Sequence, residues 1–229
     1  MLFRQLFDCE SSTYTYLLAS EETKEAVLVD SVINNVQRDV NLIKELGLKL
    51  KYLMETHVHA DHITGVSEIK KHFPEAKSIV HKDCGAPCVD IPVDDGDEII
   101  LGEIKIKVIY VPGHTNSCVA YYVNNLVFTG DALMIRGCGR TDFQCGSAET
   151  LYHSVTEKLF TLPEETIIYP AHDYKGISCS SIREEKHFNP RFANKTKEEF
   201  IDIMNNLNLP FPKKIKESLP ANLQCGKRE

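Results

Sequence analysis

Apolar and polar positions along this chain follow two periods, and the two periods come in blocks. Alternating or continuous apolar runs occupy Met1 to Phe7, Tyr14 to Ala19, Ala26 to Val29, Lys51 to Met54 and Ser78 to Val80. More follow at Ile104 to Val111, Val119 to Val123, Leu126 to Phe128 and Thr166 to Tyr169. Short runs of this kind, rich in β-branched and aromatic residues, predict strands. Asn124-Asn125 between two of them predicts a tight hairpin, because Asn tolerates the left-handed backbone such turns need. Helical spacing is clearest at Val36 to Leu46, which stops at Gly47. It recurs at Ile63 to His72, Glu149 to Leu159, Ser181 to Lys186 and Lys197 to Leu207. Strands in meander-like groups with helices between the groups predict antiparallel or mixed sheets covered by helices. The tail after Asn208, rich in Pro and Lys, predicts a segment wrapped on the surface.

A chain of 229 residues with 42% apolar content can bury a core as one domain, 1–229, with a C-terminal tail from about 190 wrapping it. The net charge of −7 argues against a nucleic-acid groove, which needs a basic stripe. No apolar run approaches the roughly 20 residues needed to span a bilayer. The N-terminus enters strand-like sequence at once, which predicts a cytosolic chain unless a presequence is missing from this sequence. The eight cysteines are dispersed over the chain and read as reduced intracellular thiols. Cys84 and Cys88 have no second pair to complete a zinc site.

Candidate chemistry sits at the ends of four strand-like runs. Lys51 to Glu55 leads into Thr56-His57-Val58-His59-Ala60-Asp61-His62, three imidazoles and a carboxylate in seven residues. Ile104 to Val111 leads through Pro112-Gly113 into His114. Leu126 to Phe128 leads through Thr129-Gly130 into Asp131, and Thr166 to Tyr169 through Pro170-Ala171 into His172. All these side chains are transition-metal ligands, and burying them together is costly unless something satisfies them. Small or turn-forming residues before the last three ligands let the backbone turn sharply at the site.

The order His-x-His-x-Asp-His, Gly-His, Gly-Asp and a late Ala-His resembles the metallo-β-lactamase superfamily. That resemblance covers nearly the whole chain and implies an α+β fold, an αββα sandwich of two mixed β-sheets flanked by helices. Phe3 to Phe7, Thr56 to Gly65, Phe128 to Phe143, Tyr169 to Lys175 and Asn206 to Pro210 narrow it further. Together they resemble the persulfide dioxygenases, mitochondrial sulfide-oxidising enzymes that act on glutathione persulfide. Glyoxalase II, a related family, usually has aromatic residues after the position of Arg140, where this chain has Thr141-Asp142-Phe143. It also usually has an aromatic at the position of Ala60 and a longer helical C-terminal region.

The persulfide dioxygenase resemblance implies one Fe(II) per chain, held by His57, His114 and Asp131. Two His and one carboxylate form the facial triad of non-haem iron oxygenases, with positions left open. His59, Asp61, His62 and His172 then orient ligands and hold water. Both oxygen atoms of O2 pass to the terminal sulfur of glutathione persulfide, and hydrolysis gives sulfite and glutathione. The alternative is a glyoxalase II-type hydroxyacylglutathione thioester hydrolase, in which all seven residues hold two zinc or iron ions and Asp131 bridges them. The ligand inventory fits both; the residues around Asp131 favour iron. The resemblance also implies a homodimer and a mitochondrial location, with no membrane or nucleic-acid partner.

Arg140 is expected to anchor a glutathione carboxylate and Tyr174 to bond its peptide part. Cys138 is expected to be a buried small hydrophobe and Arg136 to make a structural ion pair. Thr115 caps a turn or meets a ligand. His72, His81, His153 and His187 read as surface or structural residues.

Overall fold

A computed structural model, which describes residues 1–227, places the strands in two sheets of six. The first runs in chain order: β1 (Leu2–Asp8), β2 (Thr13–Ala19), β3 (Glu25–Val29), β4 (Lys49–Met54), β5 (Lys77–His81) and β6 (Ile91–Val93). So does the second: β7 (Glu98–Leu101), β8 (Ile104–Tyr110), β9 (Val119–Val123), β10 (Leu126–Gly130), β11 (Ile167–Pro170) and β12 (Ser180–Ser181). Pairing is antiparallel from β1 to β3 and parallel from β3 to β6. In the second sheet only β10 and β11 pair in parallel. Both sheets are therefore mixed. The helices are α1 (Val36–Glu45), α2 (Val66–His72), α3 (Ala148–His153), α4 (Ile182–Phe188), α5 (Lys197–Asn205) and α6 (Ile215–Asn222).

Strand β2 shows why the layers form. All seven of its residues are buried. Side chains alternate across a strand, so Tyr16 and Leu18 join the core between the sheets, with Met54, Val108, Tyr121 and Phe128. Leu17 and Ala19 point the other way, onto Val40 and Ile43 of α1 and Ile69 of α2. The outer face of the second sheet is covered likewise, Val127 and Ile168 packing with Leu151 of α3, Ile182 of α4 and Phe200 of α5. This is the expected αββα sandwich. The Asn124-Asn125 turn has φ of 47° and 65°, the double left-handed geometry the pair predicts.

Several elements differ from expectation. The helix expected from Ile63 starts at Val66, because residues 63–65 instead pair with residues 31–33: Ile33 N–H donates to Ile63 O (2.9 Å) and Gly65 N–H to Ser31 O (3.0 Å). The helix expected over Glu149 to Leu159 breaks after His153 into a π-turn at Ser154–Lys158 and a 3-10 turn at Leu159–Thr161. Leu151, Val155 and Leu159, at four-residue spacing, are all fully buried. The expected tail contains α6, masked in the sequence by Pro220 and driven by burial of Ile215, Ser218 and Asn222. Among the described residues no helix is long and apolar enough to cross a membrane.

The reading of all eight cysteines as reduced is corrected by a disulfide between Cys88 and Cys225. The two are 137 residues apart in sequence, yet α6 brings their Cα atoms to 6.0 Å. Sequence spacing carries no trace of such a long-range meeting. Cys9, Cys84, Cys118, Cys138, Cys145 and Cys179 are free thiols.

One buried charge in α1 gives stability a pH dependence. Asp39 is fully buried, with Oδ1 2.7 Å from Arg38 Nε and Oδ2 unpartnered. Burial outweighs Arg38 and pushes its pKa from 3.8 up to about 6. The folded chain therefore holds this proton more tightly than the unfolded one. Its stabilising contribution is complete below pH 3.8 and is lost as pH rises through about 6. Asp39→Asn is expected to gain about 2–3 kcal/mol on wild type between pH 3.5 and pH 7. Urea midpoints of the two proteins across that range check it; parallel curves would refute it.

Candidate metal centre

The four predicted ligand loops leave the C-terminal ends of β4, β8, β10 and β11 and meet at one site. Two glycines make the approach possible. Gly113 has φ of 133°, and a Cβ there would lie 2.4 Å from the Leu151 backbone, so the loop before His114 lies flat on α3. Gly130 has φ of 54°, with Thr56 Oγ1 2.6 Å from where its Cβ would be. Few side chains tolerate such backbone angles.

His57, His114 and Asp131 each offer a ligand atom within 4.8 Å of the others. The Thr56 hydroxyl donates to Asp30 Oδ2 at 2.8 Å, so its oxygen accepts from His57 Nδ1–H at 3.0 Å. His114 Nδ1–H donates to Arg140 O at 2.6 Å. Both rings therefore keep the Nε2 lone pair. Asp131 gives Oδ1 to His172 Nδ1 at 2.7 Å and turns Oδ2 towards His114 Nε2, 3.6 Å away. Burial, with help from His59 and His114, drives the His57 pKa well below the imidazole range. Burial opposes a charge on Asp131, but His172, His114 and His57 outweigh it and hold its pKa well below the carboxylate range. A neutral imidazole and an ionised carboxylate, each fixed by a hydrogen bond on its far side, are what a divalent transition metal requires.

His59, Asp61 and His62 form an adjoining group. His59 Nε2 lies 3.1 Å from Asp30 Oδ1 and 3.3 Å from Glu55 Oε2. Burial opposes a charge on His59, but those two carboxylates raise its pKa to about 10. His62 Nδ1 pairs with Asp61 Oδ2 at 2.9 Å. His59 Nδ1 and His62 Nε2 are buried without partners; a water would satisfy them, and a second ion would do so at His59 only on displacing that ring's proton. His172 is held between Asp131 and Asp61, its Nε2 2.9 Å from Asp61 Oδ2 and 3.1 Å from Thr13 Oγ1. Those two carboxylates raise its pKa well above the imidazole range in spite of burial.

A cleft of roughly 570 Å³ opens over Asp131 and His114. Arg140 lines it, but its fork is already engaged: Nε and Nη2 donate to Asp142 at 2.7 and 2.8 Å, and Nη1 to Pro210 O at 2.8 Å. Tyr174 lines the cleft too, 71% exposed and stacked parallel to His172. Lys175 and Arg191 add positive charge to the wall. Cys138 is buried, as expected, with its thiol pushed up to about 11 and Arg191 Nη1 donating to its sulfur at 3.2 Å. Arg136 pairs with Glu184 and Glu185, the expected structural ion pair. Thr115 is buried and its hydroxyl accepts from Ser117 N–H at 3.2 Å, a turn cap. His81 is buried against Tyr110, and His153 and His187 bond within their own helical segments.

The sequence reading missed Asp30, Thr13, Asn222 and the role of Thr56. Asp30 had a signal: it directly follows β3, the same strand-end position as the other polar residues. Thr56 N–H donates to its Oδ1 at 2.7 Å, so Asp30 ties the first ligand loop to the neighbouring strand.

The metallo-β-lactamase superfamily model matches residues 10–172. The mitochondrial persulfide dioxygenase ETHE1 of Mus musculus is 51% identical over 99% of this chain and 89% of its own length. The crystal structure of ETHE1 from Myxococcus xanthus is 52% identical and covers 99% of this chain and 100% of its own, with a TM-score of 0.97. The cytoplasmic hydroxyacylglutathione hydrolase of Arabidopsis thaliana is 36% identical over 72% of this chain and 66% of its own length.

Proposed function

Because the chain belongs to the persulfide dioxygenase family of the metallo-β-lactamase superfamily, we propose that it oxidises glutathione persulfide with O2 to sulfite and glutathione. One Fe(II) is its cofactor, held by His57, His114 and Asp131. The observation that supports this most directly is the donor set itself: two imidazoles and one carboxylate, each engaged on its far side, with His114 and Asp131 lining the cleft. Bound iron supplies the one-electron chemistry that lets dioxygen react with a sulfur nucleophile.

This chain's own residues do the rest. Thr56 and the Arg140 carbonyl fix the tautomers of His57 and His114. His172 holds Asp131 at one oxygen and leaves the other free. Arg140 and Tyr174 bind the glutathione moiety, Tyr174 presenting its ring and hydroxyl at the mouth of the cleft. A substrate carboxylate reaches the Arg140 fork by displacing Asp142, so Arg140→Ala is expected to raise KM with little change in kcat.

The unpartnered nitrogens of His59 and His62 beside Asp61 favour a second reading, a two-metal thioester hydrolase. Metal analysis with an oxygen-electrode assay separates the two. The dioxygenase reading requires about one iron per chain and O2 uptake with glutathione persulfide. Two zinc ions, no O2 uptake and rapid cleavage of S-lactoylglutathione would replace it with the hydrolase. We also propose a mitochondrial location, as the names of the relatives suggest, and a homodimer, as the family resemblance implies; localisation and sedimentation of the full-length protein test them.

A further inference from the structure

A side chain from outside the ligand loops holds the most ligand-rich of them. Asn222 ends α6 and is buried. Its Nδ2 donates to the carbonyl oxygens of His59 and His62, each at 2.8 Å, and its Oδ1 accepts from Thr64 N–H at 2.9 Å. These backbone groups lie in no helix or strand, so without the amide they are buried unsatisfied. His59, Asp61 and His62 project from the segment so pinned, and His57 precedes it by two residues. Three residues beyond Asn222, Cys225 bonds to Cys88, and its carbonyl accepts from Ser67 N–H of α2 at 3.0 Å.

We propose that Asn222 is a positioning residue for the metal-ligand loop, and that the Cys88–Cys225 disulfide is a thiol-responsive control on that positioning. A low-molecular-weight thiol is the reductant. Its thiolate attacks one sulfur of the disulfide, forming a mixed disulfide and releasing the other cysteine as a thiol. A second thiol attacks the small-molecule sulfur, releases the remaining cysteine and leaves as the small disulfide. Two electrons come from the two thiols, whose two protons end on Cys88 and Cys225. Reduction frees the end of α6, and the amide of Asn222 then holds residues 59–64 less tightly.

The test reads the metal directly and does not depend on the persulfide reading. The protein loaded with Co(II) is compared with and without prior dithiothreitol treatment, alongside Asn222→Ala, Asn222→Asp and Cys88→Ser. Asn222→Ala is expected to lose metal to a chelator about tenfold faster or more. Its Co(II) absorption bands shift, which a purely structural role would not produce. Asn222→Asp keeps the acceptor for Thr64 but loses both donors, and behaves the same way. Reduced wild type and Cys88→Ser lose metal several-fold faster than oxidised wild type, and dithiothreitol has no further effect on Cys88→Ser. Unchanged metal loss and bands in the Asn222 variants overturn the positioning role. Equal rates for oxidised and reduced wild type overturn the redox control, and that comparison needs no variant to fold.

Discussion

Asp131→Ala is expected to abolish metal retention and lower kcat/KM by about 10³-fold or more, while the fold stands. Asp131 is the anion of the donor set, and its two oxygens have separate tasks: Oδ1 receives His172 and Oδ2 is left for the ion. Alanine removes both. Only the two imidazoles remain, a weaker donor set without the carboxylate's charge. The loop stays put because its backbone is tied independently, Ala171 N–H to Gly130 O at 3.0 Å and Gly139 N–H to Asp131 O at 2.6 Å. Asp131→Asn, which keeps the shape and loses the charge, is expected to fall nearly as far. Metal content by mass spectrometry and O2 uptake measure the loss. Activity within tenfold of wild type, or a full metal complement, would show that the ion sits elsewhere.

Gly113→Ala is expected to lower stability by at least about 3 kcal/mol. Two costs coincide there. At φ of 133° an L-residue is strained, and the added Cβ meets the Leu151 Cα and backbone N at 2.4 Å, atoms that cannot rotate aside. Relief requires moving α3 or the loop carrying His114. The urea midpoint should fall and metal affinity with it. By contrast, Gly47→Ala at a helix end meets nothing within 4 Å and carries only the strain of its own φ of 63°. Equal midpoints for the two variants would sink the argument.

The strands and the cluster of candidate ligands were legible because each obeys a short-range rule. A half-buried or fully buried strand announces itself by apolar runs, as Val119 to Val123 did. A candidate ligand following a strand and a glycine is visible within five residues, as at Gly113-His114 and Gly130-Asp131. What stayed hidden depends on partners far along the chain. Strands β6 and β12, of three and two residues, are too short for any period to show. Helix α6 forms despite Pro220 because tertiary burial decides it. Asp30 orients His59 and Thr56 across a parallel strand pair, and Asn222 reaches back 160 residues to His62. The Arg140 fork looked free in the sequence only because its partner, Asp142, is a neighbour whose direction the sequence does not give.

The Cys88–Cys225 bond also divides the molecule mechanically. The whole second sheet, from Glu98 to Ser181, lies inside the covalent loop that it closes. Tension applied at the two chain ends travels through the first sheet, across the sulfur–sulfur bond and out near the C-terminus. The 136 residues between the cysteines, roughly 490 Å of drawn-out chain, bear none of it until that bond is reduced. The sheet that carries His114, Asp131 and His172 is thus shielded from any pull, such as translocation or proteolytic unfolding, that begins at an end.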